Sequence, residues 1–428
     1  MKKVFVMFLV FAVVSGVFAG GGSQGQTSSA PASAQKTVNF WYADSDNMGQ
    51  YVPDGFADRF QQAYPQYTLN ATKISGTAAD LETQYNSAKM SGNLPDLCFL
   101  TLTSFISLGT SGNFYDISGP VASWTDKSNI MTAALDTGLI QGKYMGVGMV
   151  PAPITFVYRT DMFEKAGLDP NKPPTTWKEL SDYALKLTIH DAQGNIVQGG
   201  LDIPSIDYFL NISEPFMLMN GAKVVDEVTG TPYLDDPAVI GTLDFLYGLY
   251  KQGVSLPFNW QNGNTIPFMN GTSAMSFIQV NQYQTLITNR PELKDVVKIA
   301  PPVQNSKSAA FCGYRLLTIP AESKNVDGAF SLIKYLMTGP EMTIRMNTCG
   351  LVPVRTDMKD AYITANPEYG QQVMDTVAVG KGAFIVPWVA SLYKFYGPAY
   401  EAIMLGQQTP ADAMKQAQQQ LVADIKNY

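Results

Sequence analysis

The chain has 428 residues, of which 46% are hydrophobic and 15% are charged, and its formal net charge is −7. An acidic chain without a run of basic residues argues against nucleic acid and anionic membrane surfaces as partners. The three cysteines are odd in number and lack metal-ligand spacing, which indicates small buried side chains. A Cys312–Cys349 disulfide is the alternative in an exported protein.

The N-terminus has the pattern of a secretory signal peptide. Lys2 and Lys3 precede an unbroken apolar run over residues 4–14, which is too short to span a bilayer, and small residues lead up to Ala19. We therefore predict a signal peptide over 1–19, with an N-terminal membrane anchor as the alternative. The first cysteine is Cys98, so no cysteine follows the expected cut and we expect a periplasmic protein without a lipid anchor. Residues 20–36 are rich in Gly, Ser, Ala and Gln and predict a flexible linker.

After the linker, strand and helix patterns alternate, which predicts an α/β sheet of parallel strands. The predicted elements are a strand over 37–43, a helix with Phe56, Phe60, Ala63 and Tyr64 on one face, a strand over 67–74, a helix marked by Leu81, Tyr85 and Ala88, and a strand over 97–100. In such sheets ligands bind beyond the carboxyl ends of the strands. The segments 41–44 and 101–104 lie there.

A second unit begins after the segment GKYMGVGMVPAPITFVY. Two prolines, Pro151 and Pro153, interrupt this extended run, which predicts a crossover between lobes, with a new sheet starting at 156–158. A short helix over 161–166 is expected to end at Gly167 in a left-handed cap. Thr176 and Glu179 then predict a capping box at the start of the next helix.

From this point the chain resembles the extracellular solute-binding proteins of bacterial sugar ABC importers, the maltose-binding-like family. The resemblance covers nearly all of residues 37–428 and depends on the order of segments that are individually weak. These segments are SGNLPDLCFL, GKYMGV, VYRTDMFEKAGLDPNKPPTTWKELSDYALKLT, SEPFMLMNGAKV, FMNGTSAMSFIQVN, FCGYRLLTIPAESKNVDGAFSLIKYLMTGPEMTIRM, GLVPVR and LGQQTPADAMKQAQQQL.

The resemblance implies a two-lobed periplasmic-binding-protein fold with a central sheet in each lobe and a hinge of several strands. Lobe one would comprise 37–148 and 309–349, and lobe two would comprise 149–308 and 350–428. The chain would cross near 149–153, return near 306–312 and cross again near 350–354. The unit around Thr176 would then be the first of the second lobe.

A sugar site needs planar hydrogen-bonding groups and aromatic surfaces, and the chain has 5 Trp, 22 Tyr and 22 Phe. We take candidate residues from loop ends that face the expected cleft. The resemblance also implies a role for Tyr393, because an aromatic residue near this position stacks on sugar in relatives. The candidate ligand-binding residues are Trp41, Tyr42, Asp44, Asp46, Thr101, Ser104, Tyr158, Phe216, Trp260, Gln279, Asn281, Tyr314, Arg315, Trp388 and Tyr393. Several of these, such as Trp41 and Tyr158, have packing in the core as the alternative role. Trp124 and Trp177 are interpreted as structural.

Other chemistries find little support. His190 is the single histidine and lies in a predicted turn, so neither a histidine-based triad nor a His-rich metal site is expected. No Gly-rich phosphate-binding motif is present, and we predict no cofactor and no metal. The pairs Asp44/Asp46 and Asp235/Asp236 are the carboxylates that a glycosidase interpretation would use.

The sequence therefore predicts a binding protein, not an enzyme, that captures a sugar, preferably an oligosaccharide, and delivers it to an ABC permease. It is expected to act as a monomer through hinge closure, without membrane insertion. The alternatives are a secreted carbohydrate-active hydrolase and the same fold binding a peptide, polyamine or other small polar solute. Because Arg315 lies beside Tyr314, an acidic sugar is a further alternative for the ligand.

Overall fold

The computed structural model describes residues 35–43, 55–76, 78–203, 209–258 and 266–427. The strands in this part of the chain are β1 (Lys36–Ala43), β2 (Tyr67–Ile74), β3 (Leu97–Thr101), β4 (Leu139–Ile140), β5 (Lys143–Tyr144), β6 (Val147–Arg159), β7 (Ile189–His190), β8 (Ile196–Gln198), β9 (Val225–Asp226), β10 (Thr231–Pro232), β11 (Met275–Gln279), β12 (Val297–Ile299), β13 (Ala310–Thr318) and β14 (Gly380–Lys381).

The helices within the same ranges are α1 (Phe56–Ala63), α2 (Ala78–Ser91), α3 (Leu102–Thr110), α4 (Ser118–Ser123), α5 (Thr132–Asp136), α6 (Thr160–Lys165), α7 (Trp177–Leu187), α8 (Phe209–Met219), α9 (Pro237–Lys251), α10 (Pro267–Asn270), α11 (Val280–Asn289), α12 (Val326–Leu336), α13 (Gly339–Cys349), α14 (Lys359–Ala365), α15 (Gly370–Ala378), α16 (Val389–Met404) and α17 (Pro410–Asp424). None of these helices is long and apolar enough to cross a bilayer.

A mixed sheet forms the centre of the fold, with the strand order β11-β6-β13-β3-β1-β2. β1 lies between β2 and β3 and is parallel to both, as the alternating strand and helix pattern predicts. β13 then runs antiparallel to β3 on one side and to β6 on the other. The late strand β13 therefore joins the first three strands to the rest of the sheet.

β6 runs through the predicted crossover as one strand of 13 residues, whereas the sequence predicted that Pro151 and Pro153 interrupt it. Its first part pairs with β13 as far as Pro153, and its second part pairs with β11 from Ile154 onward. The stretch 156–158, where the sequence predicts the start of a new sheet, pairs with β11 and β12 and no longer with β13. A proline removes one backbone donor, which a strand tolerates where a neighbour borders it on one edge only. Among the described strands, only β13 pairs with the part of β6 that contains Pro151.

Two hydrophobic clusters lie along this sheet. The first contains the buried side chains of β1, β2 and β3, with Phe56 and Phe60 of α1. The second contains buried side chains of α7, α8, α9, α16 and α17. β6 contributes Phe156 and Tyr158 to the second cluster and Val157, on its opposite face, to the first. Residues 350–428, predicted to belong to lobe two, contribute to both clusters.

Local signals in the sequence correspond to local geometry. Gly167 follows α6 at φ 69°, and Thr176 and Glu179 make the capping box of α7. His190 is exposed in the hairpin of β7 and β8. Trp177 is buried and stacks on Phe245 with the ring centroids 4.3 Å apart.

The cysteines are free thiols. Cys98 and Cys312 are buried, and Cys349 is half-buried. The disulfide between Cys312 and Cys349 is therefore absent from this structure. Burial raises the pKa of the Cys312 thiol to about 12, so this thiol stays protonated at neutral pH. Both buried cysteines act as small apolar side chains of the core.

Candidate functional site

The parallel strands β1 and β3 end next to each other, where the sequence predicts part of the site. Tyr42 pairs with Phe99, and the strands end at Ala43 and Thr101. The Thr101 hydroxyl accepts the backbone N–H of Ser104 at 3.3 Å and donates to its Oγ at 3.2 Å. Both side chains thus stabilise the start of α3 and lie together at the strand ends.

Arg315 lies across from Thr101 in the register between β13 and β3. On its other side it pairs with Val150 of β6. Its half-buried side chain borders a small hollow together with Ala43, Thr101 and Ser104. The structure therefore brings three predicted site residues together at the edge of the first cluster.

Five of the predicted aromatic site residues have buried side chains, namely Tyr42, Tyr158, Phe216, Tyr314 and Trp388. Tyr158 donates its hydroxyl to the backbone carbonyl of Pro170 at 3.0 Å, and its ring lies 4.9 Å from that of Phe163. A buried tyrosine with an internal partner contributes to packing first. Phe216 is the member of this group that also lines a cleft.

Four other predicted residues are more accessible. Trp41 is half-buried against the first cluster, whereas Tyr393 is half-buried against the second. Gln279 caps α11 and exchanges hydrogen bonds with Gln282 in a capping box. Asn281 is exposed. The two aromatic candidates thus belong to different halves of the hydrophobic interior.

Three predicted residues lie outside the described part of the chain. They are Asp44, Asp46 and Trp260.

An aromatic cleft, which includes Phe216, opens beside β6. Its lining includes Phe156 of β6, Phe277 of β11 and Phe311 of β13, and it encloses about 340 Å³ including space open to solvent. Phe277 contacts Phe216 edge-on at 5.4 Å and Phe156 at 5.1 Å between ring centroids. Apart from Phe216, the sequence analysis did not identify these rings. In the sequence they are aromatic residues within apolar strand segments, which does not distinguish them from other core residues.

A buried carboxyl group is the main feature that the sequence analysis missed. Glu214 lies within α8, is 2% exposed, and its Oε1 has no hydrogen-bond partner among the described residues. Burial raises the pKa of Glu214 to about 8, nearby Glu227 adds to the rise, and Lys381 opposes it. The pKa of Tyr393 is also raised, chiefly by burial and further by Glu214. The Glu214 carboxyl therefore acts electrostatically on a predicted sugar-stacking residue.

Glu227 and Lys381 form a compact ion pair near this carboxyl. The Lys381 ammonium lies 3.1 Å from one oxygen of Glu227, and the backbone N–H of Ile385 donates to the other at 2.8 Å. The ammonium also lies 4.8 Å from the ring centroid of Phe384. Both oxygens of Glu227 thus have partners, unlike Oε1 of Glu214.

Of the two aspartate pairs that a glycosidase interpretation would use, the structure describes only Asp235 and Asp236. Asp236 caps α9 by accepting the N–H of Ala238 at 2.7 Å, and Asp235 is exposed. In the described ranges no group of three or more His, Cys, Asp and Glu side chains is arranged to hold a metal ion.

Comparison with known proteins gives a family match over residues 55–371, to the model of bacterial extracellular solute-binding proteins. The sn-glycerol-3-phosphate-binding periplasmic protein UgpB of Salmonella paratyphi A is 24% identical over 251 residues. That match covers 57% of this chain and 56% of the relative, so the chain spans little more than half the length of this curated relative.

Solved structures show the same fold at low identity. The cyclic alpha-maltosyl-1,6-maltose binding protein from Arthrobacter globiformis superposes with a TM-score of 0.79 at 17% identity, covering 92% of this chain and 100% of that one. An ABC transporter solute-binding protein from Thermotoga lettingae TMO, bound with alpha-D-tagatose, gives 0.71 at 22% identity, covering 90% and 99%. The fold is that of the two-lobed periplasmic binding proteins, as the sequence predicts.

Proposed function

Because this chain belongs to the family of bacterial extracellular solute-binding proteins, we propose that it captures a sugar, preferably an oligosaccharide, for an ABC permease. One observation carries the choice of a sugar. A buried carboxyl oxygen of Glu214, without a hydrogen-bond partner among the described residues, lies within the helix that lines the aromatic cleft, and the Glu214 carboxyl raises the pKa of Tyr393. An acceptor beside aromatic faces suits a ligand with hydroxyl edges and flat C–H faces.

The proposed ligand site lies between the two lobes. Trp41 would cover the ligand from the first cluster and Tyr393 from the second, with Glu214 accepting a hydroxyl. Thr101, Ser104 and Arg315 supply polar groups at the strand ends. The remaining predicted residues stay candidates, with the buried ones acting through the shape of the cleft.

Capture proceeds by closure of the two lobes about the strands that join them. A ligand that touches both lobes binds the closed form more tightly and so shifts the population toward it. β6 is the element best placed to transmit this motion, because its pairing passes from β13 to β11 between Pro153 and Ile154. The permease then recognises the closed form.

The mature protein is proposed to act as an untethered monomer in the periplasm. This rests on the predicted signal peptide over 1–19 and on the lack of a cysteine at the expected cut. Osmotic-shock fractionation of the native host should release it with other periplasmic proteins. Recovery of a lipid-modified form from the membrane pellet would contradict the proposal.

A thermal-shift screen across mono- and oligosaccharides tests the ligand class. At about 100 times its dissociation constant, a ligand adds about 2.7 kcal/mol to the free energy of unfolding. A clear rise in the melting temperature with at least one sugar is expected. A peptide or polyamine that raises it while no sugar does would contradict the sugar assignment.

A carbohydrate-active hydrolase is the second candidate, and the pair Glu214 and Glu227 is the observation that favours it. One buried acid with a raised pKa near a second carboxylate is the pattern that glycosidases use. Prolonged incubation with oligosaccharides followed by a reducing-end assay separates the two. We expect no new reducing ends, because Glu227 is held by Lys381 and Ile385.

A further inference from the structure

A short stretch of the chain, the linking segment (380–386), lies between the two hydrophobic clusters and packs on both. It begins with β14, which pairs with the start of β13. Ala383 and Ile385 pack against the first cluster, whereas Phe384 and Val386 are buried members of the second. The contacts of successive side chains therefore alternate between the two clusters. Any change in the angle between the clusters must change the contacts of this segment.

The linking segment is fixed to the second cluster through Glu227. One oxygen of the Glu227 carboxylate lies 3.1 Å from the Lys381 ammonium, and the other accepts the backbone N–H of Ile385 at 2.8 Å. Glu227 directly follows β9, whose Val225 is buried in the second cluster. Because the segment is held at two positions to the turn after β9, we expect it to move together with the second cluster.

On its other side the linking segment meets the start of α3 at a glycine. Gly382 is buried, and a Cβ atom at this position would lie 2.9 Å from Cδ2 of Leu102 and 3.4 Å from the backbone oxygen of Cys312. Leu102 is the first residue of α3, is buried in the first cluster and directly follows Thr101, which borders the hollow at the strand ends. Carbon atoms in favourable contact lie about 3.5–4.0 Å apart. A side chain at position 382 would therefore push the linking segment and α3 apart.

We propose that Gly382 is a positioning residue for lobe closure, a role that rests on the proposed function. The contact between Gly382 and Leu102 joins the two clusters at the edge where β3 ends, beside the hollow bordered by Thr101, Ser104 and Arg315. Closure about β6 and β13 shortens the distances at this edge. Because Gly382 has no side chain, the two lobes can approach far enough to enclose the ligand, and Gly382 contributes to the affinity without contacting the sugar.

Gly382→Val in the mature protein tests this role. The backbone of Gly382 is outside the left-handed region, so valine adds bulk without backbone strain. Titration calorimetry uses the sugar that raises the melting temperature most in the thermal-shift screen. Binding should weaken by about tenfold, because extra methyl groups in a packed contact penalise the closed form. Gly119→Val is the control and should bind as wild type does, since a Cβ atom at the exposed Gly119 has no neighbour within 4 Å.

Removing the opposing side chain should reverse the effect. Leu102→Ala opens space beside position 382, so the double variant Leu102→Ala/Gly382→Val should bind within about threefold of Leu102→Ala alone. If Gly382→Val does not fold, Gly382→Ala replaces it with an expected loss of about threefold, because a single methyl group displaces Leu102 less. Small-angle X-ray scattering without ligand adds a readout of lobe separation, and the radius of gyration of the Gly382 variant should exceed that of wild type and of Gly119→Val.

Two kinds of failure can be told apart. A Gly382 variant that binds the sugar as tightly as wild type overturns the positioning role but leaves sugar capture intact, and so does a loss of affinity that persists in the double variant. If wild type binds no sugar, the proposed function itself fails. The ligand-free scattering then decides the role of Gly382, and a radius of gyration equal to that of wild type overturns it.

Discussion

The burial of the Glu214 carboxyl group is a structural feature that the sequence does not predict. In the segment NISEPFMLMN it is one charge inside an apolar helix, and a surface position would be the ordinary expectation. Its helix α8 packs in the second cluster with α16, which lies far along the chain and donates the Tyr396 hydroxyl to the neighbouring Ser213. No local sequence pattern predicts this packing between distant segments. Sequence analysis therefore identified Tyr393 through a family resemblance and did not identify Glu214.

The raised pKa of Glu214 predicts a pH dependence of stability. The pKa is about 8 in the folded protein, well above the ordinary value of 4.5 for a glutamate side chain. Below pH 4.5 both the folded and unfolded states are protonated, so the folded state has no penalty. Between pH 4.5 and about 8 the unfolded state ionises first, and stability is lost as the pH rises. Glu214→Gln should remove this loss, which is on the order of 5 kcal/mol over the whole interval.

Chemical denaturation at several values between pH 5 and pH 8 measures the difference. The free energy of unfolding of wild type should fall relative to that of Glu214→Gln across this interval. Glu322→Gln serves as the control and should follow wild type, since its side chain is half-exposed. Parallel curves for wild type and Glu214→Gln would show that the carboxyl group is solvated.

Trp41 and Tyr393 are predicted to bind the ligand from opposite lobes. Burying an aromatic face contributes about 1.5–3 kcal/mol, so Trp41→Ala and Tyr393→Ala should each weaken sugar binding by about tenfold to a hundredfold. Both residues are only half-buried, and we therefore expect the fold to survive. Titration calorimetry and melting temperatures should be measured for both variants.

Trp177→Ala is the matched control for those variants. Trp177 is buried and stacked on Phe245, so its removal should cost about 3–5 kcal/mol of stability. Its effect on sugar affinity in the folded protein should be small. If Trp41→Ala or Tyr393→Ala behaves like this control, that residue belongs to the core.

Secondary-structure elements were predictable from the sequence where residues close together in the chain determine them. The strand over 67–74 and the capping box of α7 are present as predicted, because β-branched alternation and cap chemistry act over a few residues. The unbroken course of β6 through Pro151 and Pro153 was not predicted, because it depends on β13 and β11, which pair with its two parts in turn. Proline is a reliable sign of a break only when the strand has neighbours on both edges.

The segment that follows α13 is held by a buried arginine. Arg355 is 5% exposed, and its guanidinium bonds Asp357, Asp126 and the backbone carbonyl of Met337. The hydrogen bond from Arg355 lowers the pKa of both aspartates. Arg355→Met should therefore destabilise the protein by about 2 kcal/mol.

Denaturant unfolding at pH 7 measures this loss. Arg290→Met removes the same kind of side chain from an exposed pair with Glu292 and should cost less than about 1 kcal/mol. Equal effects for the two variants would show that the contacts of Arg355 contribute no more than a surface pair.

For the whole molecule, the proposed mechanism predicts a change in size. A compact chain of about 390 residues has a radius of gyration of about 21 Å, and lobe closure should reduce the measured value when the sugar binds. Small-angle X-ray scattering with and without the bound sugar provides the measurement. Tyr393→Ala at the same sugar concentration should keep the ligand-free value. An unchanged radius in saturated wild type would contradict closure.

The position of β13 in the sheet also bears on how the chain is synthesised and exported. Because β13 lies between β3 and β6, the sheet has a missing middle strand until residues 310–318 have left the ribosome. Pairings between distant segments form slowly, since a long loop must close before any contact stabilises it. The pairs β1–β2, β1–β3 and β6–β11 can form earlier, but the chain cannot complete its sheet during most of translation. That delay favours passage through a secretory channel, which the predicted signal peptide at its N-terminus would direct.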